Sequence, residues 1–510
     1  MESSTNGLAE RIRDHARTRP DAIALIFEGR ETGYGAFDRN ASRVANALIA
    51  AGCRPGDRVA YLGKNRDIYF EYWIGAVKAG LVTVPVNWRL APPEVAYILN
   101  DCRPRVILCE PEFLDRVTGI DALILVTDPA GDHPVFTPWR DAQPDADPHR
   151  DAGYDGAVLQ LYTSGTTGNP KGAMLSNRSL LGVRASVPAE ELPEWYRWSA
   201  EDVSLIAMPV FHISGSGWGV WTLQHGARGI VVREFDPERV LDLLVAHHIT
   251  KIMLVPTALR ILCDHPAAAE TDFSFLKTIC YGGSAIPLDL LRQAIAVIGC
   301  GFAQMYGMTE TAGTIVGLPP EDHDPEGSPR MRGIGIPLPG VRVRIVDAEG
   351  RDLPAGEVGE IVVASQANMI GYFDRPEATA ETVDAEGWLR TGDAGWMDAD
   401  GYLYLADRIK DMIITGGENV YPAEVENALY SHPDVADVAV IGVPDPKWGE
   451  AVKAIVVPAA GASPDPAALI AWARERIAAY KAPKTVDFRA DLPRNPSGKV
   501  LRRLLREDYG

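Results

Sequence analysis

Ala157-Val158-Leu159-Gln160-Leu161-Tyr162-Thr163-Ser164-Gly165-Thr166-Thr167-Gly168-Asn169-Pro170-Lys171-Gly172 joins an apolar run to a loop of hydroxyls and glycines that ends on a lysine. The apolar half reads as a buried strand. A ligand loop at the carboxyl end of such a strand is the arrangement of open α/β sheets, so this stretch argues for an α/β fold. Gly165 and Gly168 let backbone come close to an anion, Thr163, Ser164, Thr166 and Thr167 offer hydroxyl donors, and Lys171 supplies a compact positive charge. Together these suit phosphate. A Walker A loop would need Ser or Thr directly after its lysine, and Gly172 stands there, which disfavours a P-loop kinase or GTPase. Clusters of Ser, Thr, Gly and Pro are ordinarily solvated loops. Ten residues without a large apolar side chain, set behind a buried strand, go beyond that.

The chain around the loop has 510 residues, too many for one ordinary core, so two or more domains are expected. Hydrophobic content of 46% and charged content of 23% are those of a folded globular protein, and a net charge of -19 argues against nucleic acid or an anionic membrane as partner. No stretch reaches the length of a membrane span and the N-terminus lacks the blocks of a signal peptide, so a cytoplasmic protein is expected. Cys53, Cys102, Cys109, Cys263, Cys280 and Cys300 are scattered, without a Cys-x-x-Cys pair, and read as small buried residues of a reduced compartment. No zinc spacing occurs among the histidines.

Upstream of the loop, strands at 22–27, 58–62 and 82–86 alternate with helices at 36–51 and 68–79, which implies parallel sheet with helical cover. The Pro-, Asp- and Gly-rich segment 129–153 reads as a surface connection with little to bury. Alternating strands from 341 to 364 suggest a compact β subdomain, and Gly333 to Pro337 reads as a turn. Beyond Arg408 a separate α+β unit is expected: a helix over 423–430, strands over 435–443 and 451–457, a helix over 466–480 and a last strand near Val486.

Further constellations follow the loop in order. Gln304-Met305-Tyr306-Gly307-Met308-Thr309-Glu310 offers a ring, a hydroxyl and a hard oxygen ligand. Tyr281-Gly282-Gly283-Ser284-Ala285 by itself is only a turn. Trp388-Leu389-Arg390-Thr391-Gly392-Asp393 and Asp407-Arg408-Ile409-Lys410-Asp411 place charges that alone would read as surface groups. Thr415-Gly416-Gly417-Glu418-Asn419, Pro493-Arg494-Asn495-Pro496-Ser497-Gly498-Lys499 and Met208-Pro209-Val210-Phe211-His212-Ile213-Ser214-Gly215 complete the series.

This ordered set resembles the motifs of the adenylate-forming superfamily, which includes acyl-CoA synthetases, adenylation domains of peptide synthetases and luciferases. The resemblance runs from about Leu8 to Arg503 and departs slightly at Gly33, between the usual Thr-Tyr pair. It implies a large N-terminal domain (1–407) of layered α/β subdomains plus a β subdomain, and a small mobile α+β domain (408–510) hinged near Lys410. It also implies the roles. Thr163, Ser164, Gly165, Thr166, Thr167, Gly168 and Lys171 would hold the phosphates of ATP, Gly283 and Ser284 would wall the adenine, and Tyr306, with Gly307 beside it, would stack on it. Asp393 and Arg408 would bind the ribose, Thr309 the α-phosphate and Glu310 the Mg²⁺. Lys499 would bridge carboxylate and phosphate during adenylation, His212, Gly282 and Ala285 would face the acid, and Gly416 and Gly417 would line the coenzyme A tunnel.

The expected reaction is therefore an acid–thiol ligation through acyl-AMP, with ATP, Mg²⁺ and coenzyme A as cofactors and co-substrate. No carrier domain follows Lys499, which favours free coenzyme A as the acceptor. Relatives that activate amino acids carry aspartate where His212 stands, so the acid is expected to be a medium- or long-chain fatty acid, with an aryl or alicyclic acid as the runner-up. A luciferase-like oxygenase would share the adenylation motifs, and nothing in the chain singles it out. A non-catalytic paralogue would usually have lost Lys171, Glu310 or Lys499, and all three are present. A homodimer is admitted but not required.

Overall fold

A computed structural model describes residues 7–163, 169–284, 286–324, 326–408, 411–415, 418–494 and 500–509, with backbone only at 183–186, 407–408 and 418–419. Two large sheets form its body. The first has nine strands in the spatial order Ile336–Pro337, Gly313–Leu318, Gly301–Met308, Thr278–Gly282, Lys251–Leu254, Val203–Ile206, Arg228–Val231, Ile23–Phe27 and Arg30–Gly33. The second has seven: Gly371–Tyr372, Lys171–Ser176, Ala157–Thr163, Val82–Val86, Arg58–Leu62, Val106–Cys109 and Leu123–Val126. Their central strands run parallel, as the strand–helix alternation requires; antiparallel strands close both edges of the first sheet and one edge of the second, whose other edge, Leu123–Val126, pairs parallel.

Helix Asp67–Lys78 is buried along its whole length. It packs against helix Tyr34–Ala50 where Gly75 stands, since a Cβ there would lie 2.5 Å from Val44, and against helix Ile213–Gln224 where Gly219 leaves room for Phe70. Lys78 inside this layer is fully buried and paired with Asp38 and Asp147, the arrangement a buried ammonium needs.

A four-stranded antiparallel sheet follows, Arg342–Val346, Gly359–Ala364, Leu389–Met397 and Leu403–Arg408. The last sheet holds Ile413–Thr415, Glu418–Val420, Val435–Asp445, Gly449–Pro458 and, parallel to the fourth of these, Thr485–Phe488. It carries a core of its own, built on Ile413, Val440, Val456 and Leu469. The chain is thus mixed α/β, with a large N-terminal and a small C-terminal domain.

Three expectations need correction. Segment 129–153 is not merely superficial: Phe136 and Arg140 on the short helix Phe136–Asp141 are buried, and Asp147 receives Lys78 and Arg13. The low apolar content hid one anchoring ring and one anchoring carboxylate. The helix expected over 466–480 ends at Arg474, where Arg476 and Ile477 both donate to the Ala473 carbonyl and tighten the chain into a turn. Within 333–337, Ile336–Pro337 adds a two-residue edge strand to Gly313–Leu318. Of the cysteines, Cys300 is only half-buried and the other five are buried. Among the described residues no helix is long and apolar enough to cross a membrane.

Candidate active site

The opening stretch is a β-hairpin. Ala157–Thr163 and Lys171–Ser176 pair antiparallel with Thr163 opposite Lys171, so the two ends of the phosphate loop face one another. Gly172 leaves room there for the Gln160 side chain, whose amide nitrogen would lie 2.5 Å from a Cβ. Ser164, Gly165, Thr166, Thr167 and Gly168 lie outside the described residues, as do Ala285, Lys410, Gly416, Gly417 and Lys499.

Strand Gly371–Tyr372 adds to the same hairpin, with Tyr372 opposite Ala173. Its ring lies 5.1 Å from the Lys171 ammonium, and its hydroxyl donates to Glu310 Oε1 at 2.7 Å. Nothing in the linear sequence marks Tyr372. It becomes visible only when register places its strand beside Lys171. Glu310 itself sits in the tight turn Thr309–Thr311 at the end of strand Gly301–Met308, and its carbonyl accepts from the Met369 N–H at 2.7 Å. The residue is 5% exposed. One carboxylate oxygen accepts from Tyr372, and the other remains on the same carboxylate as a hard oxygen donor. That donor suits a hard cation. Among the described residues no cluster of three or more His, Cys, Asp or Glu could hold a metal ion, so a cation here would complete its shell with ligand oxygens and water.

A second hydrogen bond joins two motifs far apart in sequence: the Tyr306 hydroxyl donates to Asp393 Oδ2 at 2.7 Å. Asp393 is buried, on strand Leu389–Met397, directly opposite Arg408 in the antiparallel pairing with Leu403–Arg408. Glycines keep the neighbouring backbones close. A Cβ at Gly307 would fall 1.8 Å from the Gly313 carbonyl oxygen, and one at Gly282 would fall 2.2 Å from that of Met305. Gly283 takes φ +84°, the left-handed region that favours glycine, and it and Ser284 are exposed.

His212 precedes helix Ile213–Gln224, with its ring 4.6 Å from that of Phe211. Part of the residue is open, but Nε2 is enclosed and has no hydrogen-bond partner among the described residues. Burial, aided by the charge of Arg89, lowers its pKa to about 4, so the ring is neutral at pH 7. The structure thus brings Thr163, Lys171, Tyr372 and Glu310 to one end of the site and Tyr306, Asp393 and the Arg408 backbone to the other. Thr309 and Glu310 stand on the turn that follows Tyr306.

A model of the AMP-binding enzyme family matches residues 12–373, and one of the AMP-binding enzyme C-terminal domain matches 424–499. The chain belongs to this family. Within the adenylate-forming superfamily it falls in the acyl-CoA synthetase branch. It is 45% identical to the fatty acid–[acyl-carrier-protein] ligase ScoC of Streptomyces coeruleorubidus, over 97% of this chain and 95% of that one. It is 41% identical to a feruloyl-CoA synthase of an Amycolatopsis species, over 97% of each. The crystal structure of ATP-bound MatB from Rhodopseudomonas palustris superposes with a TM-score of 0.90 at 33% identity, covering all of this chain and 99% of MatB.

Proposed function

We propose that this AMP-binding enzyme is an ATP-dependent acyl-CoA synthetase that converts a carboxylic acid to acyl-AMP with release of pyrophosphate, then passes the acyl group to coenzyme A. The observation that carries the reading is the coupling of Lys171, Tyr372 and Glu310 beside the Tyr306–Asp393 pair. It sets cationic and cation-binding groups at one end of a site and ribose acceptors at the other.

A carboxylate is a poor electrophile because its leaving group would be oxide. Transfer to AMP supplies a good leaving group but brings two anions together. Residues 163–168 and Lys171 hold the phosphates that leave as pyrophosphate; Thr309 meets the α-phosphate. Tyr306 stacks on adenine beside Gly283 and Ser284, and Asp393 accepts from the ribose hydroxyls with Arg408 donating to the same sugar. Glu310 is the protein ligand for Mg²⁺, which when bound offsets phosphate charge. Lys499 bridges carboxylate and α-phosphate so that attack is in line.

Residues 1–407 form the adenylating domain and 408–510 a mobile one turning at Lys410, which withdraws Lys499 and brings Gly416 and Gly417 to the thiol path. The separate core of the last sheet supports that division. A neutral His212 at the acid side suits an uncharged acyl group, and Gly282 and Ala285 are the other residues proposed to face it. A medium- or long-chain fatty acid is the first reading. An aryl acid is the second, supported by the similarity to the feruloyl-CoA synthase. The similarity to ScoC makes a carrier-borne phosphopantetheine thiol the second candidate for the acceptor.

Pyrophosphate release and AMP formation, measured with ATP, Mg²⁺ and coenzyme A over a panel of acids, test the reading. Acid-dependent release of both is expected, and release that ignores the acid would refute it.

A further inference from the structure

The phosphate hairpin lies near one edge of its sheet. Outermost is the two-residue strand Gly371–Tyr372, well below the usual strand length. Its flanks are tied to the hairpin by the Ile370 N–H, which donates to the Met174 carbonyl at 2.9 Å, and the Phe373 N–H, which donates to the Gly172 carbonyl at 2.8 Å. So short a ladder is little to hold register with, yet Tyr372 has to keep its place, because its ring covers Lys171 and its hydroxyl reaches Glu310.

Further support comes from helix Pro92–Cys102. Asp101, in its last turn, accepts from the Tyr162 hydroxyl with Oδ2 at 2.6 Å and from the Arg375 guanidinium with Oδ1 at 2.7 Å. Tyr162 is on strand Ala157–Thr163, beside Thr163, and Arg375 follows strand Gly371–Tyr372 by three residues. One carboxylate thus joins the two strands that flank Lys171–Ser176. Its side chain is 13% exposed, so these bonds are less screened than those of a surface pair. The Gln160 amide donates to the Tyr162 oxygen at 3.1 Å, which leaves the Tyr162 proton for Asp101. Burial, with Cys102 and Asp101 nearby, pushes the Tyr162 pKa up, so that proton is in place at pH 7. One turn earlier on the same helix face, the Tyr97 hydroxyl donates to the Pro170 carbonyl at 3.4 Å, just before Lys171. Asp374 takes φ +50°, a left-handed conformation that persists in a non-glycine residue where surrounding contacts fix it, and Arg103 pairs with its carboxylate.

We propose that Asp101 is a positioning residue for nucleotide binding: by holding both flanking strands it fixes the base of the phosphate loop and the spacing of Lys171, Tyr372 and Glu310 before ATP arrives. The inference rests on the ligase reading above, in which residues 163–168 and Lys171 hold the phosphates that leave. A site ordered beforehand loses less conformational freedom when its ligand binds. Without the tie, that loss falls on ATP binding. Thiolysis is spared, because acyl-AMP no longer carries the β- and γ-phosphates.

The test compares the full wild-type chain with Asp101→Ala, Asp101→Asn and Arg375→Met. It reads the Kd for ATP with Mg²⁺ by calorimetry, then the rates of acyl-AMP formation and of thiolysis of preformed acyl-AMP. Asp101→Ala should raise the Kd by about tenfold, the scale of one lost hydrogen bond to a charged group. Asp101→Asn keeps an acceptor for Tyr162 and should shift it less. Arg375→Met removes an ion pair from a side chain that is 42% exposed and should raise the Kd by roughly threefold. Thiolysis should stay at the wild-type rate in all three. A Kd unchanged in every variant that folds overturns the proposal, and so does an equal loss in both half-reactions, which marks a defect of the fold. Should Asp101→Ala not fold, Arg375→Met decides alone. A wild type that binds ATP but in which no acid drives pyrophosphate release refutes the ligase reading, while the Kd comparison still judges the tie; robust acid-dependent release with an unshifted Kd removes the tie alone.

Discussion

The corner proposed to hold the nucleotide and the aromatic cluster around helix Ile213–Gln224 are held together by different physics. On the nucleotide side, hydrogen bonds link residues that lie far apart in sequence: Tyr372 to Glu310, and Tyr306 to Asp393. Strand register sets each partner, so the geometry tolerates little substitution. In the aromatic cluster, Trp195, Tyr196, Trp198, Trp218 and Trp221 meet through ring contacts. Ring packing can be remodelled by changing volume, whereas a directional bond to a buried carboxylate can only be kept or lost.

The largest effect should come from the residue proposed to bridge acid and nucleotide. With Lys499→Ala, formation of acyl-AMP should fall by about 10³-fold, in the range found when one preorganised donor to a developing charge is removed. Thiolysis of preformed acyl-AMP should stay within a few-fold of wild type, because that step follows withdrawal of the lysine. Measuring the two half-reactions separately decides it. An equal loss in both would mean that Lys499 supports the fold rather than bridging carboxylate and phosphate.

A smaller effect probes how far the nucleotide side depends on its bonds. Glu310→Ala removes the proposed cation ligand and should cost about 10²-fold in kcat. Tyr372→Phe keeps the ring over Lys171 and deletes only the donor to Glu310 Oε1, so a loss of roughly 3- to 10-fold is expected, the net worth of an ordinary hydrogen bond of about 1 kcal/mol. The diagnostic readout is the Mg²⁺ concentration for half-maximal rate, which should shift in Tyr372→Phe. A Mg²⁺ curve that does not move, with a lower thermal midpoint, would leave Tyr372 as packing only.

The same contrast explains what is legible in the sequence. Strand and helix alternation points to the parallel sheets, because buried strands and amphipathic helices have periods that local sequence carries. Thr163, Lys171, Tyr306 and Glu310 can be named because each sits in a short run whose residue types suit one ligand chemistry, whereas Asp393 is named only through the resemblance of its motif. Tyr372 cannot be named, since its relevance depends on which strand pairs with Lys171–Ser176. The aromatic cluster cannot either: Trp195, Tyr196 and Trp198 come from one segment and Trp218 and Trp221 from a helix, and nothing in either stretch says that the two sets of rings meet. Phe136 and Asp147 are hidden for a related reason, as a single anchoring side chain leaves no periodicity in a polar stretch.

The smallest effect is expected at His212. Its pKa near 4 is below the ordinary value of 6.5 because burial and the Arg89 charge disfavour the protonated ring. The unfolded chain therefore takes up this proton first as pH falls. The stability this imposes is fully present above pH 6.5 and is lost progressively between pH 6.5 and about 4, an effect on the order of 1–2 kcal/mol for this partly open residue. In His212→Gln that contribution is absent. The wild-type thermal midpoint should accordingly fall further than the variant's between pH 7 and pH 4.5. Over pH 5.5–8 the wild-type kcat/KM should show no inflection near 6.5 that the variant lacks. Such an inflection, disappearing in His212→Gln, would mean that the imidazole titrates in the working enzyme, and that the acyl side carries a charge that a neutral, apolar pocket does not have.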